Sequence, residues 1–169
     1  RILRPEGTPR AVVLDIHGGG WVLGSASLND RLNAHLARHG FCVVSVDYRL
    51  LSERRGVFIE AAIEDCLQAA YWTVSHVDQL GAVDLFIAGE SAGAHLAALT
   101  VLALRDRGLV DLVRGCVLAY GVYDLSGTDS VRAAGRDTLL FDGPTMRTDL
   151  ARLAPHRDEA ALRGPDVSP

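Results

Sequence analysis

The most constraining feature of the sequence is a serine flanked on each side, two residues away, by glycine: Gly89-Glu90-Ser91-Ala92-Gly93. A short apolar run at 84–88 leads into it, and an alanine- and leucine-rich stretch leads out to about residue 107. That pattern predicts a strand, a tight turn and a helix. A serine standing clear of a sheet on so sharp a turn has a strained backbone. Side chains two residues before or after it would collide with the neighbouring strand and helix, so both positions must be small. The serine then lies at the helix N-terminus, where the dipole and free N–H groups favour a developing negative charge. The plainer alternative is a helix-capping serine in a glycine-rich turn.

The rest of the chain repeats the strand–helix alternation. The β-branched run 11–16 predicts a buried strand ending in His17-Gly18-Gly19-Gly20-Trp21. Ser27 to Asp30 has the S-x-x-D form of a helix start, and Leu28, Leu32 and Leu36 recur at helical spacing until Gly40 stops them. Residues 41–46 predict a strand, 60–74 a helix and 113–120 a further strand. Alternating strands and helices imply parallel βαβ units, and apolar strands without clean alternation imply a sheet covered on both faces. The expected fold class is therefore α/β, a mostly parallel sheet with the serine turn after the third strand. Beyond about residue 125, prolines, glycines and close-set charges break the periodicity, although Leu139 to Phe141 and Leu150 to Leu153 are expected to pack as short helices.

Glycines in the loop after the first strand let backbone N–H groups come close to a reacting carbonyl, the arrangement an acyl-transfer site needs. Gly19 and Gly20 are the expected donors, with Gly18 in support, and Ala92 supplies another from the serine turn. The alternative for this loop is a tight strand-to-helix turn. A dinucleotide site is also conceivable, with Gly18-x-Gly20 following a strand and Asp47 ending the next. Against it, Leu23 occupies the third glycine position and Trp21 is bulky. The formal net charge of −4 gives no reason to expect a nucleic-acid partner. No apolar run reaches the ~18–20 residues needed to span a bilayer. No His, Cys or Asp spacing makes a zinc site.

Together HGGGW at 17–21, DYRL at 47–50, AAIEDC at 61–66 and GESAGAHLA at 89–97 resemble the hormone-sensitive-lipase-like family of α/β-hydrolase carboxylesterases. The resemblance covers roughly residues 8–124. It implies that Ser91 is the nucleophile, that Gly19, Gly20 and Ala92 form the oxyanion hole, and that His17 shapes the loop. It further implies a small-molecule carboxylic ester as substrate, cleaved through an acyl-enzyme without metal or organic cofactor. Residues 1–124 then correspond to the N-terminal and central part of the hydrolase core. Residues 125–169 are an irregular excursion related to a lid, ahead of further core. Where the family continues Ala-Pro-Glu after DYRL, this chain has Leu51-Ser52-Glu53, which changes a loop near the acyl pocket.

The family's triad Asp and His lie beyond residue 169 by this resemblance, so the chain reads as a fragment lacking both termini. An internal triad of Ser91, Asp124 and His156 satisfies the order expected of the fold, but the resemblance makes Asp124 a structural loop residue. His95, one turn beyond Ser91, is expected to be a packed, hydrogen-bonded histidine, and His35, His39 and His76 to be solvated. Two other functions remain: a non-catalytic small-molecule binder on the same scaffold, or an amidase or formamidase using the same site. Cys42, Cys66 and Cys116 are expected to be buried free thiols, which fits a reducing, cytoplasmic compartment. Oligomeric state is not legible in the sequence.

Overall fold

The computed structural model describes residues 1–135 and 142–169. Five strands form one sheet: β1 (Ile2–Leu3), β2 (Ala11–Ile16), β3 (Phe41–Ser45), β4 (Leu85–Glu90) and β5 (Val113–Ala119), in the order β1-β3-β2-β4-β5. All neighbouring pairs are parallel except β1 with β3. The serine turn therefore follows the fourth strand of the sheet. The strand absent from the sequence reading is β1, whose two residues are too few to show any periodicity.

The helices between the strands are α1 (Asp30–Arg38), α2 (Ile59–Ser75) and α3 (Ala92–Asp106). The chain moves outward from β2 to β3 and then returns across β2 to β4. Right-handed crossovers in opposite directions place α1 on one face of the sheet and α2 and α3 on the other. Val12, Leu14, Ile16, Cys42, Val44, Leu85 and Ile87 point toward α2 and α3 and form the main core with Ala62, Cys66, Leu96 and Leu104. The reversal of direction leaves a crevice between β2 and β4 at their carboxyl ends, where open parallel sheets bind ligands.

Two local expectations fail in α1. Its N-cap is Asn29 rather than Ser27, and Ser27 Oγ bonds Ser25 Oγ instead. Its leucine stripe does not face the sheet: Leu28 and Leu32 are about half exposed, at 53% and 55%, and the helix buries Asn33 and Ala37. The sheet face beneath carries Asp15 and Ser45, and within α1 Asn33 bonds both. Its Nδ2 donates to Asp15 Oδ2 at 2.6 Å and to Ser45 Oγ at 3.1 Å. Leaving a buried carboxylate unpaired costs more than exposing two leucines.

After β5 come α4 (Asp129–Ala133), α5 (Gly143–Leu153) and α6 (Glu159–Leu162). Thr128, Asp142 and Asp158 cap them through side-chain oxygens. Leu150 and Leu153 pack into the core as expected, whereas residues 139–141 lie outside the described residues. Cys42 and Cys66 are buried free thiols, but Cys116 is exposed. It sits on β5, whose outer side meets no further strand among the described residues, so an apolar sequence there does not mean burial. No described helix is long and apolar enough to cross a membrane.

Candidate active site

The pairing of β2 with β4 sets Ile16 beside Gly89, so the glycine loop and the serine turn leave the sheet side by side. Ser91 has φ 52° and ψ −121°, a conformation that strains any residue with a Cβ. Its N–H donates to Ala119 O at 2.9 Å, which anchors the turn to the end of β5. Gly93 shows why the flanking residue is small: a Cβ there would overlap Ile16 O and come within 2.6 Å of His17 O. A Cβ on Gly89 would likewise meet the backbone of Gly93, and lie 2.9 Å from Ala94 N. The helix therefore packs directly on the exit of β2. Ser91 stays partly accessible at the first turn of α3, while Ala92, Gly93 and Ala94 are buried.

The glycine loop is held on every side. Gly19, Gly20 and Trp21 all have positive φ. Tyr48 Oη donates to His17 O at 2.9 Å, and its ring stacks on the His17 imidazole at 4.3 Å. Leu51 N–H donates to Trp21 O, and Ala26 N–H donates to Asp47 Oδ1, both at 2.9 Å. The Arg49 guanidinium grips both oxygens of Asp65 at 2.8 and 2.9 Å, fastening this segment to α2. The Asp47 carboxylate, the candidate ribose ligand of a dinucleotide site, is thus a brace for the loop.

The donors differ in availability. Gly18 N–H is committed to Glu90 Oε1 at 2.6 Å. The N–H groups of Gly19 and Gly20 have no acceptor among the described residues. Ala92, as the first residue of a helix, has no intrahelical acceptor either. Gly19 and Gly20 lie on the loop that leaves β2 beside the serine turn, and Ala92 follows Ser91 directly.

None of the histidines stands ready to take a proton from Ser91. His95 is fully buried, with Nε2 bonded to Val167 O at 2.7 Å and Nδ1 accepting from Trp21 Nε1 at 3.2 Å. Burial is the main cause that lowers its pKa to about 4, against a smaller raising effect from the Val167 carbonyl. The ring is therefore neutral and carries its hydrogen on Nε2. His17 is buried against Tyr48, with Nδ1 bonded to Gly18 O at 2.7 Å. His156 Nε2 pairs with Glu60 Oε1 at 3.0 Å near the start of α2. Asp124 accepts from Ser126 N and Oγ at 2.8 and 2.6 Å in its own turn. Asp124 and His156 are thus each bonded elsewhere, and no bond joins them to Ser91. His35 and His39 are exposed, as expected, while His76 stacks on Trp72. No group of three His, Cys, Asp or Glu side chains among the described residues is placed to hold a metal ion.

The burial of His95 has a testable consequence. Unfolding restores its ordinary pKa near 6.5, so the unfolded chain takes up a proton that the folded chain refuses. Stability contributed by neutral His95 is complete above about pH 6.5 and is lost as pH falls toward 4, by about 3 kcal/mol. Denaturant melts at pH 7, 5.5 and 4 should show this slope, reduced in His95→Gln. Equal slopes in both proteins would mean that His95 is not buried as a neutral ring.

Comparison with known proteins fits this geometry. The family model for the alpha/beta hydrolase fold matches residues 13–169. The chain belongs to the alpha/beta hydrolase fold family. It is 32% identical over 167 residues to an acetyl esterase of Salmonella typhi, covering 92% of this chain and 51% of that protein. An esterase of Pyrobaculum calidifontis superposes with a TM-score of 0.84 at 36% identity, covering 99% of this chain and 55% of that one. Brefeldin A esterase, a bacterial homologue of human hormone-sensitive lipase, superposes with a TM-score of 0.79 over 94% of this chain and 48% of its own. At 24% identity that likeness speaks to the fold alone. The family is one of carboxylesterase-type hydrolases, and the chain spans about half the length of the curated relatives it matches.

Sequence reasoning missed the residues that hold the loop. Tyr48 and Arg49 enter the sequence reading only within the DYRL motif, Asp47 enters there and as a candidate ribose ligand, and Glu90 and Asn29 are not singled out. The available signal was position: Glu90 adjoins Ser91, and a carboxylate at the end of a buried strand needs a donor.

Proposed function

We propose that the chain carries the nucleophile and oxyanion hole of a serine carboxylesterase acting on small esters through an acyl-enzyme. The observation that carries this reading is the convergence of strained, accessible Ser91 with unpaired N–H groups on Gly19, Gly20 and Ala92. Ser91 Oγ adds to the ester carbonyl carbon while a base removes its proton. The carbonyl oxygen becomes an oxyanion and accepts hydrogen bonds from the three donors. Collapse of this intermediate expels the alcohol, which takes up the proton, and leaves the acyl group on Oγ. Water then attacks the acyl-enzyme by the same route, releasing the acid and restoring Ser91. Each oxyanion donor contributes about 10²–10³-fold to such a reaction. Gly18, whose N–H is already given to Glu90, supports the loop and is not a donor in this scheme.

The base and the carboxylate that orients it are assigned to the part of the whole protein outside these residues, because His17, His95 and His156 are bonded elsewhere. The 169-residue chain alone should then hydrolyse esters at least about 10³-fold more slowly than the whole protein. Equal rates would place the base within it. The substrate class is tested on the whole protein with p-nitrophenyl esters of graded acyl length, matching anilides and N-formyl compounds. Ester cleavage is expected to be fastest. Faster anilide or N-formyl cleavage would make it an amidase or formamidase, and binding without turnover would make it a binder.

A further inference from the structure

We propose that Glu90 is the positioning residue of the oxyanion hole, fixing the distance between Ser91 Oγ and the N–H groups of the glycine loop. The inference rests on the esterase reading above. Glu90 is joined through the backbone to Ser91 on one side, and its carboxylate takes the Gly18 N–H on the other. At 2.6 Å that is a short, charge-assisted bond. The contact is intimate: a Cβ on Gly18 would lie 2.8 Å from Glu90 O and 3.3 Å from Ser91 Cβ. One residue thus spans the two elements whose separation decides whether a tetrahedral oxyanion meets its donors.

The carboxylate is itself held. Asn29 Nδ2 donates to Glu90 Oε2 at 3.2 Å and to Asp15 Oδ1 at 3.1 Å. Asp15 is buried on β2, and its other oxygen accepts from Asn33 Nδ2 at 2.6 Å and Ser45 Oγ at 2.7 Å. The chain Ser45–Asp15–Asn29–Glu90–Gly18 ties the loop to two adjacent strands and α1. Glu90 touches no reacting atom in this arrangement. It spends its charge on holding Gly18, which leaves Gly19 and Gly20 free to face the substrate.

The test uses the whole protein, with folded active sites counted by titration with a fluorophosphonate. Glu90→Ala should lower kcat per titrated site by about 100-fold, the scale of a small misplacement of the donors, with KM within about two-fold. A phenylboronic acid, which forms a tetrahedral adduct on the serine, should bind weaker by a similar factor. Glu90→Gln keeps an acceptor for Gly18 and should recover most of the rate. Should Glu90→Ala not fold, Asn29→Ala, which removes the donor to Glu90 Oε2, carries the test and must lower kcat per site. Unchanged kcat per titrated site, or a loss confined to KM or to the number of sites, overturns the proposal. The underlying reading fails separately: it falls if the unaltered protein cleaves no ester, or if Ser91→Ala keeps the rate, and the proposal for Glu90 falls with it.

Discussion

Ser91→Ala in the whole protein is expected to lower kcat for ester hydrolysis by about 10⁵-fold or more, the usual size when a catalytic serine is removed. KM should change little, because the hydroxyl contributes to the transition state rather than to ground-state binding. The residual rate, still above water, would come from the glycine-loop donors and from substrate binding. A second variant separates chemistry from fold. Ser91 holds φ 52°, where a side chain costs about 1–3 kcal/mol and glycine is at ease. Ser91→Gly should therefore be equally inactive yet more stable, by about 1 kcal/mol once the entropy of the extra glycine is offset. Stopped assays and denaturant melts on the pair decide the matter. Retention of activity in either would remove Ser91 from the chemistry, and a less stable glycine variant would show that the turn is not strained.

The largest structural effect is expected at Gly93. A methyl group there would be driven into the carbonyls of Ile16 and His17. Both are backbone atoms at the exit of a buried strand, so neither can swing aside as a side-chain end would. The helix must lift off the sheet or β2 must shift. The cost is about 3 kcal/mol or more, a large share of the 5–15 kcal/mol that typically separates folded from unfolded protein. Gly93→Ala should lower Tm by roughly 5–10 °C. On the proposed reading it should also abolish ester hydrolysis by the whole protein, since lifting α3 carries Ala92 N–H away from the glycine loop. By contrast Gly56→Ala, where a Cβ meets nothing within 4 Å and only the positive φ of 64° resists a side chain, should leave activity unchanged. An unshifted Tm in Gly93→Ala would mean that helix and strand do not touch as described.

The elements around the site were legible because local pattern and tertiary role agree there. The run at 11–16 is apolar because both faces of β2 are covered, and 60–74 is helical in period because α2 lies on the sheet. The two glycines of the serine turn were legible as spacers because the reason for their smallness is steric and short-ranged. The face of α1 was misread for a long-range reason: Asp15 and Ser45 come from other segments, and their need for Asn33 overrides the leucine period. Cys116 was misread because burial on β5 depends on what lies beyond the strand. The bond from Gly18 to Glu90 joins residues 72 apart in sequence, so no window of the chain could reveal which glycine keeps its N–H free.

The side-by-side exit of β2 and β4 also limits how this chain can change length over generations. Ile16 stands beside Gly89 only because two six-residue strands run in fixed register. Inserting or deleting one residue within either would send every following side chain to the opposite face, and the loop and the serine would no longer meet. The exposed positions 53–56 and 107–108 in the connections between elements carry no such constraint. Length polymorphism among descendants of this gene should therefore collect in those connections and spare the two central strands.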